Sequence, residues 1–204
     1  MIDNRIPHPC VSLLRCVAGL LALTLLTGSV WAAGDAVGLR VLANAPERIV
    51  LSYEITDYTL TPVTIDGEMH HVVGLADEPQ ILTAHAPDLP RVCRSVAIPG
   101  DARMSVRVID AQFEELAGIA IAPSKGSLPR TVSPKDVPFV FGEVYARDAF
   151  YPAATAQLRD PYILRSVRGA VVEFHPFQYN PVTRTLRVCR RATLEIPRVG
   201  DGVV

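Results

Sequence analysis

Proline punctuates this chain from end to end: seventeen prolines separate short runs of alternating apolar and polar residues, and no window of useful length carries a helical period. Proline removes a helix hydrogen bond and clashes with the preceding turn, and within sheets it is confined to edges and bulges. Short strands joined by proline-bearing turns predict an all-β fold, an antiparallel sandwich or barrel, with a Greek-key-like β-sandwich as the expected form.

The strands can be placed from their period. In residues 48–56, Ile49, Leu51, Tyr53 and Ile55 alternate with Val50, Ser52 and Glu54, the pattern of a strand with one face buried. Asp66-Gly67 between two apolar runs predicts a two-residue hairpin. Residues 92–98 and 104–113 read as strands joined at Pro99-Gly100-Asp101, with a bulge near residues 109–111 to bring Phe113 into register. Residues 119–122, 139–144 and 170–174 read as further strands. After a turn at Asn180-Pro181-Val182-Thr183, a last strand over 185–196 sets Leu186, Val188, Ala192, Leu194 and Ile196 against Arg187, Arg191, Thr193 and Glu195.

The beginning of the chain is of another kind. Arg5 and Arg15 precede an apolar run over 16–26, and Val30-Trp31-Ala32 ends in small residues at the right spacing, so residues 1–32 predict a secretory signal peptide cut after Ala32. That run is shorter than the roughly 20 apolar residues a membrane span needs. Residues 33–204 are then one exported domain, secreted or periplasmic, with no membrane attachment expected after cleavage. With a formal net charge of -1, nothing in the sequence suggests the basic stripe expected of a nucleic-acid binder. Of four cysteines, Cys10 and Cys16 leave with the signal peptide. Cys93 and Cys189 remain, and in an oxidising compartment they form either a disulfide or two separate buried thiols.

Catalytic constellations are hard to find. The cysteines lie on strands beside Val92, Arg94, Val188 and Arg190 rather than on a loop next to a base, and no G-x-S-x-G elbow occurs. His70 and His71 are neighbours on a strand and face opposite sides, while His85 and His175 stand alone, so no metal site is expected. Glu114-Glu115 and Asp77-Glu78 read as charge on solvated edges. There is no glycine-rich phosphate loop, and no cofactor is expected. The irregular stretch over 124–138 stands apart, with Pro129, Pro134 and Pro138 around Lys125, Arg130 and Lys135; a loop of that length in a compact domain usually carries function. Asp160-Pro161 reads as a turn starter, its carboxylate expected on Arg165 or Arg168.

Several irregular positions agree in order and spacing with a known family. The run Ile121-Ala122-Pro123-Ser124-Lys125-Gly126, then Pro138-Phe139-Val140-Phe141-Gly142, Tyr145, Asp148-Ala149-Phe150-Tyr151-Pro152, the stretch 160–172 and the closing hairpin over 177–187 carry it. In these residues the chain resembles the N-terminal propeptide of gingipain-type cysteine peptidases, with a match over 89–196 that is faint before residue 89.

The resemblance implies a β-sandwich that assists folding of a cysteine peptidase catalytic domain, in cis or in trans, covers its active-site cleft and is then cut away, without catalysis of its own. In that family a basic side chain from the loop after the A-P-S-K-G segment blocks the pocket that reads the substrate residue; Arg130 falls at the matching position and Lys125 is the second candidate. A guanidinium meets a pocket carboxylate through two parallel charge-assisted hydrogen bonds. A precursor of this kind would continue into a catalytic domain, so the chain reads as a fragment, a truncated product or a free-standing inhibitor. The rival expectation is a free-standing cell-surface or periplasmic β-sandwich binding module without inhibitory activity.

Overall fold

The computed structural model describes residues 35–202. The expected signal peptide, with Cys10 and Cys16, lies outside the described residues. Twelve strands build the domain: β1 (Val37–Ala45), β2 (Arg48–Ile55), β3 (Thr59–Ile65), β4 (Glu68–Gly74), β5 (Val92–Ala97), β6 (Ala102–Met104), β7 (Arg107–Ala117), β8 (Ala156–Leu158), β9 (Tyr162–Leu164), β10 (Val167–Phe174), β11 (Phe177–Asn180) and β12 (Thr185–Asp201). Among the described residues the only helical turns are 3-10, and no helix is long and apolar enough to cross a membrane.

β12 is the spine. Its C-terminal half pairs with β2 and its start with β11, while β7 and then β6 run along its other edge, all antiparallel. β1 closes the far side of β2, giving a six-stranded sheet. A four-stranded sheet is centred on β10, between β5 and β8, with β9 folded back on its start. The two sheets face each other across one core: Leu51, Tyr53 and Ile55 of β2 and Leu186, Val188, Leu194 and Ile196 of β12 meet Val92 of β5 and Val172 and Phe174 of β10. The rings of Tyr53 and Phe174 are 4.9 Å apart across the layer. The fold is therefore the expected antiparallel β-sandwich. Each such aliphatic residue contributes about 1.5–3 kcal/mol on burial, which makes the central strands the stable part.

β3 and β4 form a separate hairpin, with Val73 in the core, whose turn residues, Asp66 and Gly67, both have positive φ, as a two-residue primed turn demands. The bulge expected near 109–111 falls at Ile109, where the β7–β12 register slips between Asp110 and Val108. Two expected strands are absent. Residues 119–124 make only isolated bridges, Ile121 to His71 and Pro123 to Pro87. Residues 139–142 are irregular and lead into a 3-10 turn at Glu143–Ala146, with Gly142 N–H spent on His85 O. Phe141 instead packs edge-on against Tyr145, ring centres 4.8 Å apart. Arg168 does not meet Asp160; its guanidinium donates to the carbonyls of Pro99, Gly100 and Ala102.

Of the two alternatives for Cys93 and Cys189, the structure has the separate thiols: both are free. Cys189 lies in the core on β12, where its thiol donates to Arg191 O at 3.3 Å. Cys93 is opposite Glu173 on β5, one residue out of phase with buried Val92, and so faces away from that core. Burial pushes the Cys189 thiol up to about 11, and burial followed by the Glu173 charge raises that of Cys93. Neither thiol is poised as a thiolate nucleophile.

Candidate functional site: a braced loop

The segment that leaves β7 runs beside β4, with a parallel bridge from Ile121 to His71, and is pinned to residues 85–88 before it reaches solvent. Asp88 N–H donates to Ala122 O, Ser124 N–H to Ala86 O and His85 N–H to Ser124 O, at 2.7–2.9 Å. Ser124 is buried, and its hydroxyl accepts from Gly126 N–H. Gly126 has φ +75°, and a β-carbon there would stand 2.9 Å from that of Ala84, so glycine is required both by conformation and by space.

Beyond Gly126 the chain swings out and returns. Val132 N–H donates to Pro129 O at 3.0 Å, which places Arg130 and Thr131 at the two central positions of a β-turn. Ser133 then caps a 3-10 turn at Pro134–Asp136, its hydroxyl accepting from Lys135 N–H. Lys125 closes the loop at its neck: its ammonium donates to Pro134 O at 2.6 Å and lies 4.1 Å from the centre of the Phe139 ring. Arg130 is exposed, and among the described residues it has neither a hydrogen bond nor an ion pair. The two cations named from the sequence thus share one loop but sit differently, Lys125 at the neck and Arg130 at the tip.

Two further residues belong here that the sequence did not single out. Phe139 was read as part of a strand, yet its ring is the platform for Lys125. Half-buried Asp88 lies beside the base of the loop, its N–H on Ala122 O, and burial pushes its carboxyl up to about 6. Beside the loop a depression of about 340 Å³ is lined by His70, Phe141, Tyr145 and the Glu68–Arg184 pair, without cysteine, serine or lysine in its wall. Among the described residues no three His, Cys, Asp or Glu side chains converge as a metal site would need.

The sandwich carries a braced loop with an exposed cation at its tip. Residues 33–199 match the family described as Propeptide_C25, and the chain belongs to that family. It is 33% identical over 192 residues to Gingipain R1 of Porphyromonas gingivalis, which covers 92% of this chain and 19% of that protein. To Lys-gingipain of the same organism it is 26% identical over 200 residues, 94% of this chain and 12% of the relative. The chain thus spans about a fifth or less of these relatives, and it corresponds to their propeptide region rather than to a catalytic domain. Among solved structures it is similar to the complex of Porphyromonas gingivalis RgpB pro- and mature domains, with TM-score 0.78, 34% identity and 81% of this chain on 87% of that one. It shares its fold with a structure on the zymogenic latency of gingipain K from Porphyromonas gingivalis, TM-score 0.68 at 24% identity, over 83% of this chain and 96% of that one.

Proposed function

We propose that this chain is an exported prodomain, residues 33–204 after a signal peptide ending at Ala32, that binds a gingipain-type cysteine peptidase, covers its active-site cleft, holds it latent and assists its folding. The partner is the peptidase's catalytic domain, in cis or in trans, outside the cytoplasm. Arg130 enters the pocket that reads the substrate residue and Lys125 braces the loop behind it.

The observation that carries this reading is the tip of the loop: an exposed guanidinium without a partner among the described residues, held out at the corner of a β-turn whose neck is closed. Loop closure before docking lowers the ordering cost of binding. A planar fork of donors suits a carboxylate at the base of an arginine-reading pocket. A solved relative is a complex of pro- and mature domains, which supports a mature peptidase domain as the partner.

The test is inhibition of an arginine-specific gingipain-type peptidase by the purified chain and by its Arg130→Ala variant. The variant is expected to bind about a hundredfold more weakly, about 2.7 kcal/mol, as truncating one side of a desolvated charge pair does. Arg130→Lys should fall between the two. Equal inhibition by wild type and Arg130→Ala would take Arg130 out of the mechanism.

A further inference from the structure

We infer that Lys125 is the positioning residue that keeps the loop from being cleaved at the Arg130–Thr131 bond, so that a segment offering an arginine to an arginine-reading pocket acts as a plug and not as a substrate. This deepens the proposed function and rests on it for the identity of the partner.

A peptidase hydrolyses a bond that it can draw into extended form within its cleft. Arg130–Thr131 is the central peptide of the 129–132 turn, and extending it breaks the hydrogen bond from Val132 N–H to Pro129 O. That one bond is exposed and weak against solvent competition. What resists extension is closure of the whole segment. The Lys125 ammonium joins residue 125 to residue 134 by a charge-assisted hydrogen bond and rests on the face of Phe139. On the entry side Gly126 is wedged against Ala84 and bonded to Ser124. On the exit side Ser133 caps the 3-10 turn that supplies the accepting Pro134 carbonyl. The neck is thus fixed from three sides, and Lys125 is the tie between its two strands of chain.

The rest of the molecule makes the point sharper. Most arginines of the described domain lie in paired strands or hold carboxylates, as Arg91 and Arg159 hold Glu173, Arg187 holds Glu115 and Arg191 holds Glu54. Arg165 is another turn arginine, at φ +58° between β9 and β10, beside exposed Leu164. It has no lysine tie, and it gives an internal reference bond at Arg165–Ser166.

The experiment uses trypsin on the full chain, so that its result does not depend on the proposed partner. Cleavage after Arg130 and after Arg165 is followed by mass spectrometry in wild type, Lys125→Met, Lys125→Arg and Phe139→Leu, with thermal unfolding to establish that each is folded. Lys125→Met keeps the apolar stem and removes the tie. It is expected to speed cleavage at Arg130–Thr131 on the order of tenfold while leaving Arg165–Ser166 unchanged. Lys125→Arg, which restores a donor and a ring contact, should bring the rate back towards wild type, and Phe139→Leu should lie between. Equal rates at Arg130–Thr131 in folded wild type and Lys125→Met, or parallel acceleration at both bonds, would overturn the inference. Because the inhibition test of Arg130→Ala is separate, the latch can stand or fall whatever becomes of the partner.

Discussion

Asp88 and Glu173 are carboxylates taken partly or wholly out of water, and their neighbours decide opposite outcomes. Glu173 would be raised by burial, but hydrogen bonds from Arg159 and Arg91, then from Gln157 and His175, outweigh this and hold it at about 2. Its contribution to stability is present above the ordinary carboxylate range and is lost as pH falls through that range towards 2. Asp88 has only burial acting on it, and its carboxyl rises to about 6. An ordinary aspartate titrates near 3.9, so the folded chain binds this proton more tightly than the unfolded one, and stability is lost as pH rises from about 4 through 6. Asp88→Asn should therefore stabilise the fold at pH 7.5 by about 1–2 kcal/mol once solvent screening of this half-buried group is allowed for, with a higher thermal midpoint, and change stability little at pH 4. Calorimetry at the two pH values checks it; an equal shift at both would remove the titration as its cause.

Among the elements, β12 carries most of the load, since β2, β7 and β11 all hydrogen-bond to it and its apolar face fills the core. Leu194 sits at its middle, fully buried. Leu194→Ala should cost about 2–5 kcal/mol in chemical denaturation with little change in the denaturant slope, and a loss below about 1 kcal/mol would mean that the two sheets can close over the gap. Such strands were legible because one face is oily and the other wet: β2, β12 and the Asp66-Gly67 hairpin could be read from alternation and turn chemistry alone. β1 was not legible, because an edge strand with Leu39, Val41 and Leu42 exposed on an outer surface carries no alternating burial. The runs at 119–122 and 139–144 read as strands but are not, for the converse reason. They are apolar enough for a strand, yet Pro123 and the Gly142 contact with His85 commit them to irregular packing against residues 85–88. Prolines mark the loop in the sequence, but Arg130 is singled out within it only by the family resemblance, and its brace by neither. The tie from Lys125 to Pro134 O and the Phe139 ring is a contact in space that no local pattern encodes.

On the scale of the whole molecule, the sandwich is a platform, and what it presents projects from it. Three backbone hydrogen bonds weld the base of the loop to residues 84–88, so the loop moves with the body of the domain. That arrangement suits the proposed role, in which the domain sits over another protein's cleft. The most direct measurement is a steady-state titration of the full chain against an arginine-specific gingipain-type peptidase acting on a small arginyl substrate. Rising substrate should relieve inhibition in the pattern of competition for one site, with the chain recovered uncut at Arg130–Thr131. Full peptidase activity at micromolar chain, or inhibition that substrate does not relieve, would contradict a plug in the active-site cleft.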